Sequence, residues 1–336
     1  MIRRMRLVLI VARPAVAVLL GSYAAIGLAD AGRGEDPALL ARVLVAVCGF
    51  LVFSVACNDI ADERIDRVNL AGDRRRPLVA GTAGRREIQI IGATAAVLAL
   101  LAGATLGWPV MLVLAGGLVV SAGYSVRPVR IADRGALAAL LLPACYVAVP
   151  YLAGQFAVGP IRSAASLVTL AGLYISFIGR ILLKDFRDVR GDALFGKRTF
   201  LVRHGRRWTC VFSAVCLGAG AALLLFSVPS PSVALVAGYI GGAAVTLGLL
   251  RMLAADRGHR RDEVVISTIA ILGRGMLLLV LAHLEMRQAH WAAPRYDVMM
   301  AALALVVGGQ AVVMFRHGPR TRYTVAVTGE KQLAPL

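Results

Sequence analysis

The sequence predicts a polytopic all-α membrane protein, and three observations predict it. Hydrophobic residues fill 59% of the 336 positions, with a mean hydropathy of +0.75. Charged residues make up 17%, below the roughly 25% of soluble domains, which excludes a soluble globular enzyme. The apolar residues also arrive in about ten long runs, each able to cross a hydrocarbon core of about 30 Å. Short alternating segments of the kind that build a β-barrel do not occur.

The runs lie near 7–29, 38–57, 88–106, 108–125, 135–155, 163–183, 208–228, 232–254, 263–285 and 297–315. The first is long enough to span and carries no cleavage pattern, so it reads as a retained helix. The second and the sixth each run directly into a cluster of acids. The third and fourth lie between the basic stretches 58–87 and 126–134, and the fifth opens a second half. The seventh follows the basic stretch 184–207, and the eighth ends at the basic stretch 251–262. The ninth and tenth close the chain, and the tenth leaves a re-entrant or interfacial alternative open. The whole reads as one integral-membrane domain. Two pseudo-repeat halves, about 7–134 and 135–260, precede C-terminal helices within 263–315 and a basic tail at 316–336.

The distribution of Lys and Arg orients the runs. With a cytoplasmic N-terminus, 29 of the 37 basic residues fall on the cytoplasmic side. Only Arg33, Arg162, Arg287 and Arg295 fall opposite, and Arg13, Arg42, Arg180 and Arg274 lie inside runs. This asymmetry predicts a protein of the cell (inner) membrane. It also accounts for the net charge of +18 through anionic lipid headgroups, without nucleic acid. Five cysteines, Cys48, Cys57, Cys145, Cys210 and Cys216, lie in or beside apolar runs with no CxxC pair. They read as small packing residues, not as a disulfide framework or zinc site.

Acids are scarce and clustered. Seven of 19 fall in two nine-residue stretches, Asn58 to Asp66 and Lys184 to Asp192. Asp59, Asp62 and Asp66 stand at i, i+3 and i+7, and so do Asp185, Asp188 and Asp192. On a helix such positions share a face, and three carboxylates on one face repel unless a cation joins them. The same spacing at matching places in two halves reads as two half-sites about one centre. Aspartates without His or Cys neighbours suit hard divalent ions, above all Mg²⁺. Mg²⁺ takes few protein carboxylates and completes its shell with water and phosphate oxygens. Two such clusters could therefore hold a diphosphate as a leaving group. The five histidines form no spaced cluster, and none is assigned to metal.

Asn58-Asp59-x-x-Asp62-x-x-x-Asp66 resembles the NDxxDxxxD motif of the UbiA superfamily of intramembrane prenyltransferases. Asp185-x-x-Asp188-x-x-x-Asp192, followed by Gly196 and Thr199, resembles its DxxDxxxD motif. Arg76-Pro77-Leu78 with Gly81 and Tyr124-Ser125-Val126-Arg127-Pro128-Val129-Arg130 resemble two further stretches. The resemblance covers roughly 10–255. It implies a bundle, normally of nine spans, around a central cavity beneath cytoplasmic cap loops, with nine to ten spans expected here. It also implies an active site toward the cytoplasm, and Mg²⁺-dependent ionisation of an isoprenyl diphosphate. The prenyl group then passes to a lipophilic or aromatic acceptor, or, in terpene cyclases of the superfamily, the cation closes on its own chain. Lys184 and Arg190 stand where relatives often carry Asn and an acid, which fits a different acceptor or none.

Asn58, Asp59, Asp62, Asp66, Asp185, Asp188 and Asp192 are the expected metal ligands, with Asp59, Asp62, Asp185 and Asp188 carrying catalysis. Arg67, Tyr124, Arg127, Arg130 and Lys184 are the diphosphate candidates, and for each a plain topological role stays open. Arg13, Tyr174 and Phe177 are the cavity candidates. Snorkelling to the headgroups remains the alternative for Arg13, and packing for the aromatic pair. Arg180, four residues before Lys184, leans toward the site. The expected partners are an isoprenyl diphosphate, a lipophilic or aromatic acceptor and membrane lipid, with no nucleic acid. A transporter should carry its acids near the midplane on broken helices, not at the membrane edge. The Asp-Gly…Ala-Arg signature of CDP-alcohol phosphotransferases does not occur.

Overall fold

A computed structural model describes residues 2–69, 76–187, 199–256 and 258–319. Helices account for the regular structure: α1 Ile2–Val11, α2 Pro14–Asp30, α3 Pro37–Asn69, α4 Arg85–Leu106, α5 Trp108–Ser125, α6 Ala136–Pro143, α7 Val149–Val158 and α8 Ala164–Ile181. After these come α9 Phe200–Ser227, α10 Val233–Ala254, α11 His259–Gln288 and α12 Ala293–His317. A π-helical turn, Ala144–Ala148, joins α6 to α7 into one span, Ala136–Val158. Among the described residues nine helices are long and apolar enough to cross a membrane, and ten if the bent pair α1–α2 counts as one span. The chain is an integral membrane protein.

Three boundaries differ from the sequence expectation. The first run is not one helix: α1 and α2 meet at 62°. Pro14 takes the first position of α2, where its missing N–H is harmless, and disfavours helical geometry at the residue before it. Arg13 accordingly adopts a left-handed conformation, with φ 45°. The second run does not stop at residue 57. Its helix continues through the whole first Asp motif to Asn69, so that motif is helical and not a loop. The sixth run ends in a 3₁₀ turn, Leu182–Lys184. The tenth is a continuous helix of 25 residues, with no re-entrant break.

The two halves pack by the same rule. In each, the helix leading into an Asp motif lies against its successor, α3 on α4 and α8 on α9, while α2 packs on α7 and α11 on α2. One apolar core, with Phe50, Leu51 and Leu114 at its centre, fills the first half. A second, with Tyr151, Leu173 and Leu235, joins α2 to the C-terminal half.

Lipid tails are as apolar as leucine side chains, so close backbone approach carries much of the association between spans. The α2–α7 crossing shows this. A Cβ on Gly27 would stand 2.2 Å from the Tyr151 carbonyl oxygen, and one on Gly154 would stand 2.3 Å from that of Ala24. Gly154→Val is therefore expected to destabilise the bundle by about 2–3 kcal/mol through forced separation of the two helices. Thermal inactivation in detergent checks this against Gly116→Ala, whose added methyl group meets nothing within 4 Å and should leave stability unchanged.

Candidate active site

The extension of α3 carries Asn58, Asp59, Asp62 and Asp66 over about two helical turns. Asn58 donates through its side-chain amide to Asp62 at 2.8 Å. Asp59 is 5% exposed and binds two guanidiniums, Arg13 from the α1–α2 break and Arg76 from the segment before α4. Arg76 also reaches Asp66, at 3.2 Å. Asp62 pairs with Arg130 at 2.7 Å. Arg130, in a left-handed conformation ahead of a 3₁₀ turn, also donates to Asp133 and to the carbonyls of Ala61 and Ser125. Burial works against its charge, but the hydrogen bond to Asp133 and the charges of Asp62 and Asp133 outweigh that and raise its pKa.

The arrangement answers the repulsion that three carboxylates on one face would suffer. Arginines from three separate segments reach them: the kink at Arg13, the stretch at Arg76 and the turn at Arg130. From the other half, Lys184 lies close enough to Asp66 for its charge to act on that carboxylate. Asp185 is half-buried beside exposed Lys184, and Phe186 is buried. Asp188 and Asp192 lie outside the described residues.

The remaining expected residues divide. Tyr124 is half-buried at the end of α5, and Arg127 is exposed in the turn that carries Arg130. Arg67 is exposed and pairs with Glu63 at 2.8 Å, and Arg85 binds the same carboxylate. This places Arg67 on the flank of α3, about a third of a turn from the aspartate face at 100° per residue.

Phe177 is buried, edge-on to Tyr23 at 6.4 Å and tilted against Tyr146 at 5.9 Å. The Arg180 guanidinium sits 5.4 Å from its centroid. Tyr174 does not join this aromatic group. Its hydroxyl donates to the Leu140 carbonyl at 2.6 Å and ties α8 to α6. Counting turns back from Asp185 assumes 100° per residue throughout, whereas a 3₁₀ turn advances about 120° per residue. The Leu182–Lys184 turn thus adds about 60° to the phase between Tyr174 and Asp185.

Arg76 is the residue that sequence reasoning left without a role. The signal was present, because Arg76-Pro77 stands beyond the acids much as Arg13-Pro14 stands before them. Tyr23 and Tyr239 were also passed over. They are buried aromatics on helices without a motif.

The donor set fits Mg²⁺. It consists of carboxylate and amide oxygens with no sulfur or imidazole, on successive turns of one helix. Among the described residues no three Asp, Glu, His or Cys side chains converge as a ready cage. Mg²⁺ requires none, because one or two carboxylates with waters and phosphate oxygens suffice.

A model of the UbiA prenyltransferase family matches residues 18–282. The chain belongs to the UbiA prenyltransferase family. It is 36% identical over 228 residues to a digeranylgeranylglyceryl phosphate synthase of Methanoculleus marisnigri, a match spanning 64% of this chain and 75% of the relative. It is 30% identical over 161 residues to the bacteriochlorophyll synthase 34 kDa chain of Chloroflexus aurantiacus, spanning 48% and 49%. The chain thus spans about half the length of that second relative. Among solved structures, a digeranylgeranylglyceryl phosphate synthase aligns with a TM-score of 0.62 at 16% identity, covering 84% of this chain and 98% of that one. A UbiA homolog from Archaeoglobus fulgidus bound to DMAPP and Mg²⁺ aligns at 0.55 and 14%, covering 92% and 99%. At these identities the two structures speak to the UbiA fold alone.

Proposed function

We propose that this UbiA-family protein ionises an isoprenyl diphosphate in the presence of Mg²⁺ and transfers the prenyl group to a lipophilic or aromatic acceptor. The observation that supports the reading is the gathering of Asp59, Asp62 and Asp66 on one face of α3 by Arg13, Arg76 and Arg130. The Asp59, Asp62 and Asp66 face of α3 lies within the electrostatic reach of Lys184 at the end of α8. The catalytic and metal-binding roles of Asn58, Asp59, Asp62, Asp66 and Asp185, and those of Asp188 and Asp192, are part of this proposal. So is a site on the cytoplasmic face of the inner membrane. Membership of the family and the relatives' names support the reaction class.

Mg²⁺, when bound, neutralises the diphosphate oxygens so that the allylic C–O bond can break. Asp59, Asp62 and Asp185 would supply its protein ligands. Arg130 and Lys184 would hold the remaining diphosphate oxygens by charge-assisted hydrogen bonds, with Tyr124 and Arg127 near the same mouth. Arg13 and Arg76 pair with Asp59 and fix its direction. Below the mouth, the faces of Phe177, Tyr23 and Tyr146 form a dry, polarisable wall for an allylic cation, each face contributing about 0.5–2 kcal/mol.

The test incubates purified protein with ten- to twenty-five-carbon prenyl diphosphates, with and without candidate acceptors, and follows diphosphate release. Release is expected only with a divalent ion, and removing the ion with EDTA should stop it until Mg²⁺ is restored. A cyclic hydrocarbon or alcohol formed without acceptor would replace transfer by cyclisation. Diphosphate left intact under every condition would end both readings.

A further inference from the structure

A partly open cavity of about 120 Å³ lies between α2, α8, α9, α10 and α11. Its wall is largely apolar, with Leu217, Leu224, Leu250 and Ile269 among its lining. Into it face Arg180 and the buried hydroxyl-bearing rings of Tyr23 and Tyr239. Tyr239 is satisfied, because it donates to the Met276 carbonyl at 3.0 Å. The other two groups are not.

Arg180 offers five N–H donors. Among the described residues its hydrogen bond is a single long one, 3.4 Å to the Tyr23 hydroxyl, with the Phe177 ring against its flat face. No carboxylate of the described residues forms an ion pair with it. Tyr23 is 1% exposed. Its oxygen accepts from Arg180, and no described group accepts its proton. Arg274, on α11, adds a second positive charge within reach of the first. The fold also makes room for this arrangement: a Cβ on Gly273 would press on the Arg180 side chain at 2.9 Å. A guanidinium inside a membrane bundle carries a large desolvation penalty unless an anion or acceptor meets it. Among the described residues this one has space and a neighbouring O–H, but no acid.

We propose that Arg180 and Tyr23 bind the anionic head, a carboxylate or a phosphate, of the lipophilic acceptor. The proposal rests on the prenyl-transfer reading above. Arg180 stands four residues before Lys184 on the chain, about 6–8 Å deeper along the helix axis, on the membrane side of the proposed diphosphate site. An apolar cavity of about 150 Å³ accommodates benzene. A cavity slightly smaller holds a head group with a ring or a short chain, not a prenyl tail. An acceptor anchored there by its anion is fixed in orientation below the allylic carbon. A cyclase has no use for such an anchor.

The test uses the full-length protein in phosphatidylcholine nanodiscs, with decyl phosphate and decanoate as probes and decanol as the neutral match. One or both anions are expected to raise the melting temperature saturably, and which of them does so distinguishes phosphate from carboxylate. Decanol is expected to do nothing. Arg180→Gln should raise the half-saturating concentration at least about tenfold. Tyr23→Phe, which removes only the hydroxyl, should raise it about threefold and keeps the test decisive if Arg180→Gln does not fold. Arg33→Gln, at the opposite end of α2 from Arg13, should match the wild type. Unchanged saturation in Arg180→Gln and Tyr23→Phe overturns the proposal. So does equal stabilisation by phosphatidylglycerol-containing nanodiscs without a probe, because a membrane lipid then fills the cavity. Mg²⁺-dependent binding of geranylgeranyl diphosphate is measured in parallel and should be unaltered in Arg33→Gln. Its failure in the wild type would count against prenyl transfer, independently of the anion result.

Discussion

Asp59→Asn is expected to lower prenyl transfer about 10³-fold and to lower stability by about 2–4 kcal/mol. The substitution keeps size and removes charge. Asp59 is 5% exposed and meets Arg13 and Arg76 together. Those arginine side chains are only 25% and 19% exposed, so water replaces the lost carboxylate poorly. A loop aspartate would have cost activity alone. A buried one, on a helix that continues from the bundle, costs both. The two losses can be separated. Arg13→Gln combined with Asp59→Asn removes one of the stranded charges and should recover part of the stability while recovering none of the rate. Single-turnover diphosphate release and thermal inactivation in the same detergent measure the pair. A rate within tenfold of the wild type in stable Asp59→Asn protein would remove Asp59 from the proposed metal site.

The spans and the two Asp sets were legible because each rests on a strong local contrast. Long apolar runs admit few alternatives, and carboxylates at their ends are rare enough for matched spacing to stand out. What was not legible depends on geometry between segments. The kink at Arg13 follows from Pro14, yet only the fold shows that it aims the side chain at Asp59. The helix through Asn58–Asn69 is polar, and its persistence depends on arginines delivered from elsewhere in the chain. The 3₁₀ turn at Leu182–Lys184 shifts the angular phase of everything after it, so face counting across it does not fix the direction of Tyr174 relative to Asp185. Arg180 lacked an obvious partner in sequence, and in the fold its neighbours are Tyr23 and Phe177, about 150 residues away and three residues away along the chain.

Arg76→Gln should reduce prenyl transfer about 10²-fold and loosen the end of α3. Arg76 is the group that bridges the first and last aspartates of the motif, meeting Asp59 at 2.5 Å and Asp66 at 3.2 Å. Without it, Asp59, Asp62 and Asp66 repel across two turns of a helix that no longer has the bundle on all sides. Arg76→Lys should restore little. A lysine is a single flexible point charge, whereas the guanidinium presents a planar fork that can serve two carboxylates at once. A double-mutant cycle of Arg76→Gln with Asp66→Asn should show a coupling of about 1–3 kcal/mol in stability. Hydrogen exchange over 58–69 should rise in Arg76→Gln and fall back in the double variant, because relief of the carboxylate repulsion stands in for the lost bridge. If exchange over that segment is unchanged in Arg76→Gln, the motif helix is held by its own backbone and by Arg130. Arg76 would then serve the reaction only through the charge it presents to Asp59.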